Sequence, residues 1–495
     1  MMNRREFLTL LCASGAELTL FSSLSEAIPR QHPQPNILLI VADDQGYADM
    51  SCAGLASDVY TPNLDWLAAR GIRFTQAYAT SPICSPSRDG IETGCYQQRF
   101  GMYWYGGNGL HDPKFKTIAE ILKEHGYTNG YVGKYHYGGP LNDPQHRNFP
   151  LNHGFDYLYG LSSARKHYLN HKAELEIAFM EKKKKYNRTG QSLQQGPIWI
   201  NRQQKDQKGY STELISEKAC EFVRKNKDKP FYLHLSFNAV HNFTHQLPEE
   251  YLKEHRLKGY YDWDPAKEEY YDWYKQSRYP NNPQGRAHYL GQLYHLDSEV
   301  GKVLSLIKEL KIEDNTLVIY ISDNGGSTPI YANNYPLRGS KYTLYEGGIR
   351  VPLIVSWPGK FEQGKVCNNV VSAMDILPTV CTVIGATIPS HVDGKSISKL
   401  LKGQDSGLLH ETLVWDTELE TAVRHGKWKL KTAKSKKHTD YEMVEMELGE
   451  FLYDLEEDPG EKDDVAKKHP QIVKKLKDLY SMWKKHIIKG DKPSI

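Results

Sequence analysis

The most reactive stretch of this chain is a cysteine followed by serine, proline, serine and arginine, at residues 84–88. Pro86 suits the first turn of a helix, because the N–H that proline lacks would have no helical partner there, and Ser85 or Ser87 is expected to cap that helix. A helix N-terminus offers unpaired N–H groups and a partial positive charge to a tetrahedral anion, and Arg88 adds a forked cation. The alternative interpretation is a buried free cysteine before an ordinary helix.

Oxygen-bearing side chains follow two separate apolar runs, residues 37–42 and residues 316–321. These side chains are Asp43 and Asp44 after the first run, and Asp323 and Asn324 after the second. Runs that are apolar on both faces are typical of buried parallel strands, and ligands of open α/β sheets lie beyond the carboxyl ends of such strands. The first pair alone would suit an ordinary turn. The four together predict one site for Ca²⁺, which binds oxygen, rather than for zinc, which prefers nitrogen and sulfur.

Basic side chains follow two further predicted strands. Residues 131–136 are expected to end a strand, where alternation places Lys134 and His136 on the same face. His241 follows a predicted strand at residues 231–237. Lone lysines and histidines at strand ends are usually solvated, so the pattern by itself leaves these three residues as candidates.

Helices are expected between these strands, and near residue 389 the sequence changes to a pattern of short strands and charged turns. One predicted helix begins after Pro62. The others cover residues 118–125, 212–225, 289–310 and 470–485. Beyond residue 389, residues 421–433 and 450–461 are expected to form neighbouring antiparallel strands. The segment at residues 162–209 is basic and irregular, and its lysine run at residues 182–185 is interpreted as a solvated loop. His167 and His171 within it have the spacing of a helical metal pair, but no third ligand accompanies them.

Composition limits the classes of protein and of partner. The chain has 495 residues, a formal net charge of +3 and a mean hydropathy of -0.62. The charge gives no indication of a nucleic-acid partner, and no apolar run reaches the roughly 20 residues of a membrane span. Seven cysteines do not form a disulfide framework. One bridge stays open among the cysteines outside the leader and the reactive stretch, which are Cys52, Cys95, Cys220, Cys367 and Cys381.

The first 27 residues have the pattern of an export signal. Arg4 and Arg5 precede Phe7 and Leu8, and a moderately apolar stretch then runs to residue 21. This order is typical of a twin-arginine signal, and small residues near Ala27 would suit cleavage. A disordered basic tail is the alternative. We therefore expect a periplasmic or secreted protein.

The reactive stretch, with Thr93-Gly94 after it, resembles the signature of type I sulfatases of the alkaline phosphatase superfamily, in which the cysteine is oxidised to formylglycine. Other stretches resemble the same family: PNILLIVADDQGYAD, GKYHYG, LNHGFDYLYG, NTLVIYISDNGG and LRGSKYTLYEGGIRVPLIVSWPG. His241 matches the family histidine of an FNAPH stretch, although Val240 stands where that stretch has proline. The resemblance implies an α/β fold. Residues 34–388 would form a mixed sheet flanked by helices, and residues 389–495 a smaller α+β subdomain with an antiparallel sheet.

The resemblance also implies a mechanism and a set of site residues. One Ca²⁺ would be held by Asp43, Asp44, Asp323, Asn324 and the modified Cys84. The hydrated formylglycine would attack the sulfur of a sulfate ester, while Arg88, Lys134 and Lys341 hold the negative charge. His241, helped by Lys341, would protonate the leaving alcohol, and His136 would take a proton from the second hydroxyl so that the aldehyde re-forms. A formylglycine-generating or radical maturation enzyme is an implied partner.

The expected substrate class depends on the aromatic residues and on the resemblance of one further stretch to carbohydrate sulfatases. The chain has 33 tyrosines, and two similar tracts at residues 260–263 and 270–273 would shape a sugar pocket or simply pack a helix. The TGCYQQRFG stretch resembles carbohydrate sulfatases, including those of the N-acetylgalactosamine-6-sulfatase type. We expect a sulfated polysaccharide or oligosaccharide with galacto-configured sugars. A phosphatase or phosphodiesterase on the same core and a non-catalytic protein that binds sulfated glycans remain alternatives.

Overall fold

The computed structural model describes most of the chain from residue 34 to residue 489. The described ranges are 34–140, 142–162, 167–169, 198–205, 207–260, 268–404, 407–434 and 447–489. The predicted export signal, His171 and residues 261–263 of the first aromatic tract lie outside them. From Pro35 onward the described residues belong to one compact unit.

Sixteen strands occur in these ranges. They are β1 (Asn36–Ala42), β2 (Ile72–Tyr78), β3 (Thr128–Lys134), β4 (Tyr157–Leu161), β5 (Tyr168–Leu169), β6 (Ile198–Ile200), β7 (Gln203–Lys205), β8 (Gly209–Tyr210), β9 (Phe231–Ser236), β10 (Thr316–Ser322), β11 (Leu353–Ser356), β12 (Lys365–Ser372), β13 (Thr412–Asp416), β14 (Glu420–His425), β15 (Trp428–Ala433) and β16 (Gly449–Asp454).

The same ranges contain eleven α-helices. They are α1 (Pro62–Ala69), α2 (Cys84–Thr93), α3 (Ile118–Glu124), α4 (Ser211–Asn226), α5 (Glu249–Glu254), α6 (Tyr270–Gln276), α7 (Gly285–Glu309), α8 (Glu346–Ile349), α9 (Ile376–Ile384), α10 (Ser398–Leu401) and α11 (Pro470–Lys489). None of these helices has both the length and the apolar composition needed to cross a membrane.

Ten strands form one mixed sheet with β1 near its centre. Their order is β12-β2-β11-β10-β1-β9-β3-β4-β6-β7. The strands β10, β1, β9, β3 and β4 run parallel to one another, whereas β11 is antiparallel to both β10 and β2, and β6 is antiparallel to β4. The five parallel strands end at the same edge of the sheet, which is where the predicted oxygen cluster must lie. The predicted α/β class with a large mixed sheet is confirmed.

Strand β1 is buried on both faces, as its unbroken apolar run predicts. Ile37, Leu39 and Val41 pack into one core with residues of α3 and α9. The intervening side chains, Leu38, Ile40 and Ala42, pack into a second core with residues of α1, α4 and α7. Because side chains alternate across a strand, one continuous apolar run supplies both helical layers. This double burial fixes the strand whose end carries Asp43.

A separate four-stranded antiparallel sheet, in the order β13-β14-β15-β16, follows in the chain. The predicted strands at residues 421–433 and 450–461 are present, but the first region is a hairpin that turns at Gly426, whose φ is 55°. Strand β13 was not predicted. This sheet and the helix α11 both contact the preceding part of the chain, residues 34–388: the Trp415 indole of β13 donates to the Ala79 carbonyl at 2.8 Å, and the Trp483 ring of α11 lies 5.3 Å from that of Tyr96. A domain boundary at residues 388–389 stays a prediction.

Three local expectations differ from the structure. Strand β3 ends at Lys134, so strand alternation does not reach His136, whose φ is 48°. Helix α2 begins at Cys84 after the extended residue Ile83, and no side chain caps it. The serines at positions 85 and 87 lie within the helix instead. All six cysteines in the described ranges are free, so no disulfide joins them.

Candidate active site

The ends of β1, β9 and β10 bring the predicted oxygen donors together. The backbone ladder continues one residue past these strands, because the Asp43 N–H donates to Ala239 and the Asp323 N–H donates to Ala42, both at 3.0 Å. The Asp44 N–H then donates to an Asp323 side-chain oxygen at 3.2 Å, with Asp44 in the left-handed region at a φ of 62°. Two acidic stretches about 280 residues apart therefore meet at one point.

Glycines after each acidic pair allow the two loops to touch. A Cβ on Gly326 would lie 2.6 Å from the Gly46 Cα, and one on Gly325 would lie 2.0 Å from the Gly347 carbonyl. The Asn334 side-chain oxygen also accepts from the Gly326 N–H at 3.2 Å. This close backbone approach explains the glycines of the two stretches physically, since any side chain would separate the loops.

Cys84 lies at the first residue of α2 and is 3% exposed. Its Sγ is 3.0 Å from the Lys341 ammonium, 3.6 Å from an Asp43 oxygen and 4.0 Å from an Asp44 oxygen. The first turn of the helix is held by its serines, because the Ser87 hydroxyl donates to the Asp323 carbonyl and the Ser85 hydroxyl accepts from Gly138 at 2.8 Å. The two predicted caps thus join α2 to neighbouring loops.

Three buried cations surround the carboxylates. Arg88 contacts Asp323 through Nε at 2.9 Å and Nη2 at 2.8 Å. The Lys134 ammonium lies 2.5 Å from an Asp43 oxygen, and the Lys341 ammonium lies 2.6 and 2.7 Å from the two oxygens of Asp44. Each carboxylate therefore has its own cation, and all six side chains are almost completely buried.

Burial and neighbouring charges shift the ionisation of these groups. Burial raises the pKa of Asp323, the Asp43 carboxylate raises it further, and Arg88 opposes both. Burial raises the pKa of the Cys84 thiol to about 12, although Lys134 and Lys341 oppose this shift. Burial works against the charge of Lys341, but Asp44, Cys84 and further neighbours together outweigh it, and the pKa of Lys341 lies well above its ordinary value. The unmodified cysteine is thus a neutral thiol at physiological pH.

The side-chain oxygen atoms of this cluster are suitable ligands for a hard cation. The Asn324 amide nitrogen donates to an Asp44 oxygen at 2.8 Å, whereas its buried side-chain oxygen has no donor among the described residues. Single ligand atoms of Asp43, Asp44, Cys84 and His241 all lie within 4.8 Å of one another. A buried amide oxygen without a donor, beside three carboxylates, is an environment that Ca²⁺ would satisfy.

The two histidines of the predicted set occupy different positions. The His241 Nε2 lies 3.5 Å from an Asp44 oxygen, and the His241 N–H donates to Asn238 at 3.0 Å in the turn after β9. His136 is half-buried, two residues beyond the end of β3. The expectation that Lys134 and His136 share a strand face is wrong, because the backbone turns between them.

Ser236, which the sequence analysis did not single out, forms hydrogen bonds with Arg88 and with the backbone of Lys134. The Ser236 hydroxyl accepts from Arg88 Nη1 at 2.6 Å and donates to the Lys134 carbonyl at 2.7 Å. Arg88 Nη1 also donates to that carbonyl at 3.0 Å. Ser236 is the last residue of β9, which is otherwise largely apolar. A polar residue at the end of an apolar strand is the sequence feature that could have indicated its role in the site.

The matches to known proteins cover nearly all of the chain. The sequence model described as Sulfatase matches residues 35–386, and the model described as N-sulphoglucosamine sulphohydrolase, C-terminal, matches residues 340–486. The chain belongs to the sulfatase family. By class it is a sulfuric ester hydrolase of the alkaline phosphatase superfamily.

Relatives of this sulfatase cover most of its length. The N-acetylgalactosamine-6-O-sulfatase of Bacteroides thetaiotaomicron is 28% identical, over 90% of this chain and 92% of that protein. Arylsulfatase A of Homo sapiens is 29% identical, over 94% of this chain and 90% of that protein. The crystal structure of Ps i-CgsB in complex with k-i-k-neocarrahexaose has a TM-score of 0.71 at 30% identity and covers 93% of this chain and 94% of that one.

His167 of the sulfatase supports the backbone beside His241. Its Nε2 lies 3.1 Å from the His241 carbonyl and 3.0 Å from the Asn242 carbonyl, contacts in which the ring nitrogen donates. Burial lowers the pKa of His167 to about 4, so the ring is neutral. These contacts give the side chain a structural role, and the helical metal pair is not supported, because His167 lies directly before the short strand β5.

Aromatic side chains of the sulfatase lie next to Lys341. The Lys341 ammonium is 5.4 Å from the centre of the Tyr342 ring, and the Trp104 ring lies 6.2 Å from Tyr342 and 6.0 Å from Tyr105. Tyr105 is 39% exposed. In the second predicted aromatic tract, Trp273 is buried and packs 5.2 Å from Phe243, so that side chain packs a helix rather than lining an open surface.

Proposed function

We propose that this sulfatase hydrolyses a sulfate ester on a carbohydrate, with formylglycine made from Cys84 and one Ca²⁺ bound beside it. The observation that carries the proposal is the buried cluster at the ends of β1 and β10. There a thiol, three carboxylates, an unsatisfied amide oxygen and three cations meet in one place. Such a concentration of paired charge is costly unless an ion and an anionic substrate complete it.

The residues that would hold Ca²⁺ are those brought together by the strand ends: Asp43, Asp44, Asp323, Asn324 and position 84. When bound, the ion would supply positive charge that neutralises sulfate oxygens and lowers the pKa of an attacking hydroxyl. Formylglycine at position 84 would supply an oxygen nucleophile and a carbonyl that can re-form after turnover. The structure supports this interpretation through its oxygen-rich donors, since soft thiolate or several imidazole ligands would favour other metals.

The cations of the cluster would bind and orient the transferred group. Arg88 and Lys134 are fixed by Asp323 and Asp43, so their charges are in place before the substrate arrives. Lys341 lies 3.0 Å from the Cys84 sulfur and would face the oxygen of the bond that breaks. Preorganised charge in a buried site stabilises developing negative charge more strongly than water does.

His241 would hold the proton for the leaving alcohol. Its Nε2 is 3.5 Å from Asp44 and its backbone is fixed by His167, so the ring is oriented towards the reacting atoms. A sugar hydroxyl is a poor leaving group, and its departure needs a proton. His136, on the loop after β3, would accept the proton whose loss restores position 84.

A sulfated carbohydrate is the proposed substrate class. Relatives of this chain act on N-acetylgalactosamine sulfate by name, and a similar structure holds neocarrahexaose, an oligosaccharide. The exposed ring of Tyr105 lies beside Trp104, which in turn lies beside Tyr342, and it would offer a face on which a sugar ring packs. We propose galacto-configured sugars within this class.

Export and maturation complete the proposal. Residues 1–27 would direct the protein out of the cytoplasm through the twin-arginine route, which carries folded proteins. Cys84 would therefore be converted inside the cell by a formylglycine-generating or radical maturation enzyme. Large sulfated glycans are encountered outside the cytoplasm, which agrees with this location.

A panel of esters tests the proposed function. The protein, produced with a maturation enzyme, is incubated with Ca²⁺ and sulfated mono- and oligosaccharides of galacto and gluco configuration, choline sulfate, an aryl sulfate and the corresponding phosphate esters, and released anions are measured. We expect sulfate from the sugar esters, most rapidly from the galacto series. Release of phosphate in preference to sulfate would show a phosphatase, turnover of the small non-sugar esters alone would contradict the carbohydrate substrate, and glycan binding without release would show a binding protein.

A further inference from the structure

Arg278 is a buried cation that contacts Asn242, the residue directly after His241. It follows α6 by two residues and is 2% exposed. Its Nη1 donates to the Asn242 side-chain oxygen at 3.0 Å and to the Tyr274 hydroxyl. Its guanidinium carbon lies 4.5 Å from the centre of the Tyr274 ring. All of these partners are neutral.

No carboxylate within the described ranges pairs with Arg278. Its Nε, which is buried, also has no acceptor there. The two other arginines of similar burial in those ranges are compensated. Arg88 binds Asp323 directly, and Arg424 donates to the Tyr78 hydroxyl, which in turn donates to Glu346 at 2.6 Å. Arg278 therefore differs from both in having no counterion among the residues that the structure describes.

An unpaired buried guanidinium costs free energy of folding. Removing a cation from water without an opposing charge destabilises the folded state unless an anion compensates it. A planar guanidinium with a free edge is well suited to a carboxylate or a sulfate, because two parallel N–H groups match two oxygens. The missing partner of Arg278 is thus expected to be an anion that arrives with a ligand.

Asn242 links Arg278 to the turn that carries His241. Asn242 directly follows His241, whose Nε2 is 3.5 Å from Asp44. The Asn242 carbonyl accepts from His167 at 3.0 Å, so the residue that contacts Arg278 is fixed at both its side chain and its backbone. A ligand that reaches the proposed general acid His241 would bring its neighbouring substituents close to this guanidinium.

We propose that Arg278 binds a second anionic group of the substrate, a sulfate or a carboxylate on the leaving sugar or on the sugar next to it. The inference rests on the proposed carbohydrate sulfatase activity and narrows its substrate to glycans with more than one negative charge. Arg278 would determine specificity without taking part in the bond that breaks. Its effect would appear in binding and in KM more than in kcat, because the contact exists before the transition state.

Equilibrium binding to Cys84→Ala protein tests this proposal without turnover. Isothermal titration in Ca²⁺ compares N-acetylgalactosamine 6-sulfate, N-acetylgalactosamine 4,6-disulfate and the disaccharide of the 6-sulfate with glucuronic acid, together with their gluco-configured counterparts. Arg278→Gln and Arg278→Lys are added to the same background. Arg224→Gln, which removes an exposed arginine of α4, controls for the loss of one positive charge, and a melting temperature is recorded for each variant.

We expect Arg278→Gln to weaken binding of a doubly charged probe by about tenfold and of the monosulfate by less than about twofold, with part of the affinity kept by Arg278→Lys. If Arg278→Gln weakens binding of the disulfate, the second anion is a sulfate, and if it weakens binding of the glucuronic acid disaccharide, the second anion is a carboxylate. Equal affinities of the parent and Arg278→Gln for every probe, including no measurable binding of any, overturn the proposal. A uniform loss for all probes with a lowered melting temperature shows a structural arginine and also overturns it. A preference for doubly charged probes that depends on Arg278, without sulfate release by the converted wild type, would instead contradict the proposed function alone.

Discussion

His241 is the residue whose proposed role depends most on the chemistry of the leaving group. Its imidazole lies 3.5 Å from Asp44 and shares a buried turn with Asn238 and Asn242. A general acid matters where the departing oxygen is strongly basic, as in a sugar, and matters little where it is weakly basic, as in a nitrophenol. The role therefore predicts a substrate-dependent effect of one substitution.

We expect His241→Asn to lower kcat on a sulfated sugar by roughly a hundredfold or more, because general acid catalysis typically contributes that much. On 4-nitrophenyl sulfate the loss should stay within about tenfold. Measured rates of sulfate release on the two substrates check this. His125→Asn, at an exposed position just after α3, is the matched control and should change neither rate. Equal losses on both substrates would remove His241 from the role of acid.

Residue types and spacing were sufficient to predict most of the charged cluster but not what supports it. The cysteine stretch and the two acidic strand ends could be recognised because their side chains are chemically unusual in their local context. The roles of Ser236 and Arg278 depend on neighbours about 36 to 148 residues away in sequence, which no local pattern encodes. The sequence predicts a serine cap for α2, whereas Ser85 and Ser87 hold the helix to adjacent loops.

At the scale of elements, the ends of β1 and β10 form the proposed calcium site. Asp323 continues the ladder of β10 into β1, and Asn324 follows it with an unsatisfied oxygen. Binding of an ion to the folded state alone stabilises that state, by about 2.7 kcal/mol when the free ion is at one hundred times its dissociation constant. Thermal unfolding can therefore report the site without any substrate.

We expect Ca²⁺ to raise the melting temperature of the wild type and to raise it more than Zn²⁺ does, because all four side chains offer oxygen. Asp323→Asn, which keeps the shape of the side chain, should abolish most of this increase. Asp228→Asn, at a surface carboxylate after α4 that is 84% exposed, should leave it unchanged. An increase that survives in Asp323→Asn, or a larger effect of Zn²⁺, would contradict the assignment. Chelation should lower sulfate release in parallel.

The strands and helices that position the site were mostly predictable, and their ends were less so. The uninterrupted apolar runs of β1 and β10 are a strong signal because both faces are buried. Helix α7 begins at Gly285, four residues before the predicted start at Tyr289, because its first turn packs on the Tyr331 loop and not on the apolar core. Strand β13 ends in a tryptophan and an aspartate whose partners lie more than 60 residues away, so its short sequence gave little indication.

At the scale of the whole molecule, buried ion pairs join the four-stranded sheet to the loop that carries Lys341. Lys429 of β15 lies 2.9 Å from both Glu346 of α8 and Glu461. The Leu344 N–H also donates to Glu420 of β14 at 2.9 Å. The second sheet thus holds the segment between Lys341 and α8 in place. The packing of the second sheet depends on contacts between distant segments. The sequence pattern after residue 389 predicts that a second sheet exists, but it does not predict these contacts.

This cluster predicts a pH dependence of stability. Burial raises the pKa of Glu461 to about 7, Glu346 adds to the shift and Lys429 opposes it. The folded state therefore holds the proton more tightly than the unfolded chain, whose ordinary value is 4.5, and the stability that Glu461 contributes is full below that value and is lost as the pH rises to about 7. Glu346 is held at a pKa of about 2, against the effect of burial, by Lys429, Arg350 and Arg424, so it titrates below this range.

We expect the melting temperature of Glu461→Gln to rise relative to the wild type between about pH 5 and about pH 8, because the variant has no carboxyl group to ionise. Differential scanning fluorimetry across this range measures the difference. Glu217→Gln, at a surface residue of α4 that is 61% exposed, should show a constant difference. A difference for Glu461→Gln that does not change with pH, or that falls as pH rises, would show that Glu461 is ionised throughout.

In the proposed function, a group made from Cys84 performs sulfate ester hydrolysis in the buried cluster. Preparations made with graded amounts of a maturation enzyme will differ in the fraction of Cys84 converted, which mass spectrometry of the peptide around residue 84 quantifies as a loss of about 18 Da. The initial rate of sulfate release from one sulfated oligosaccharide is measured for each preparation, with Cys84→Ala as the zero point. We expect a rate proportional to the converted fraction. A rate that is independent of conversion, or within about tenfold of wild type in Cys84→Ala, would contradict it.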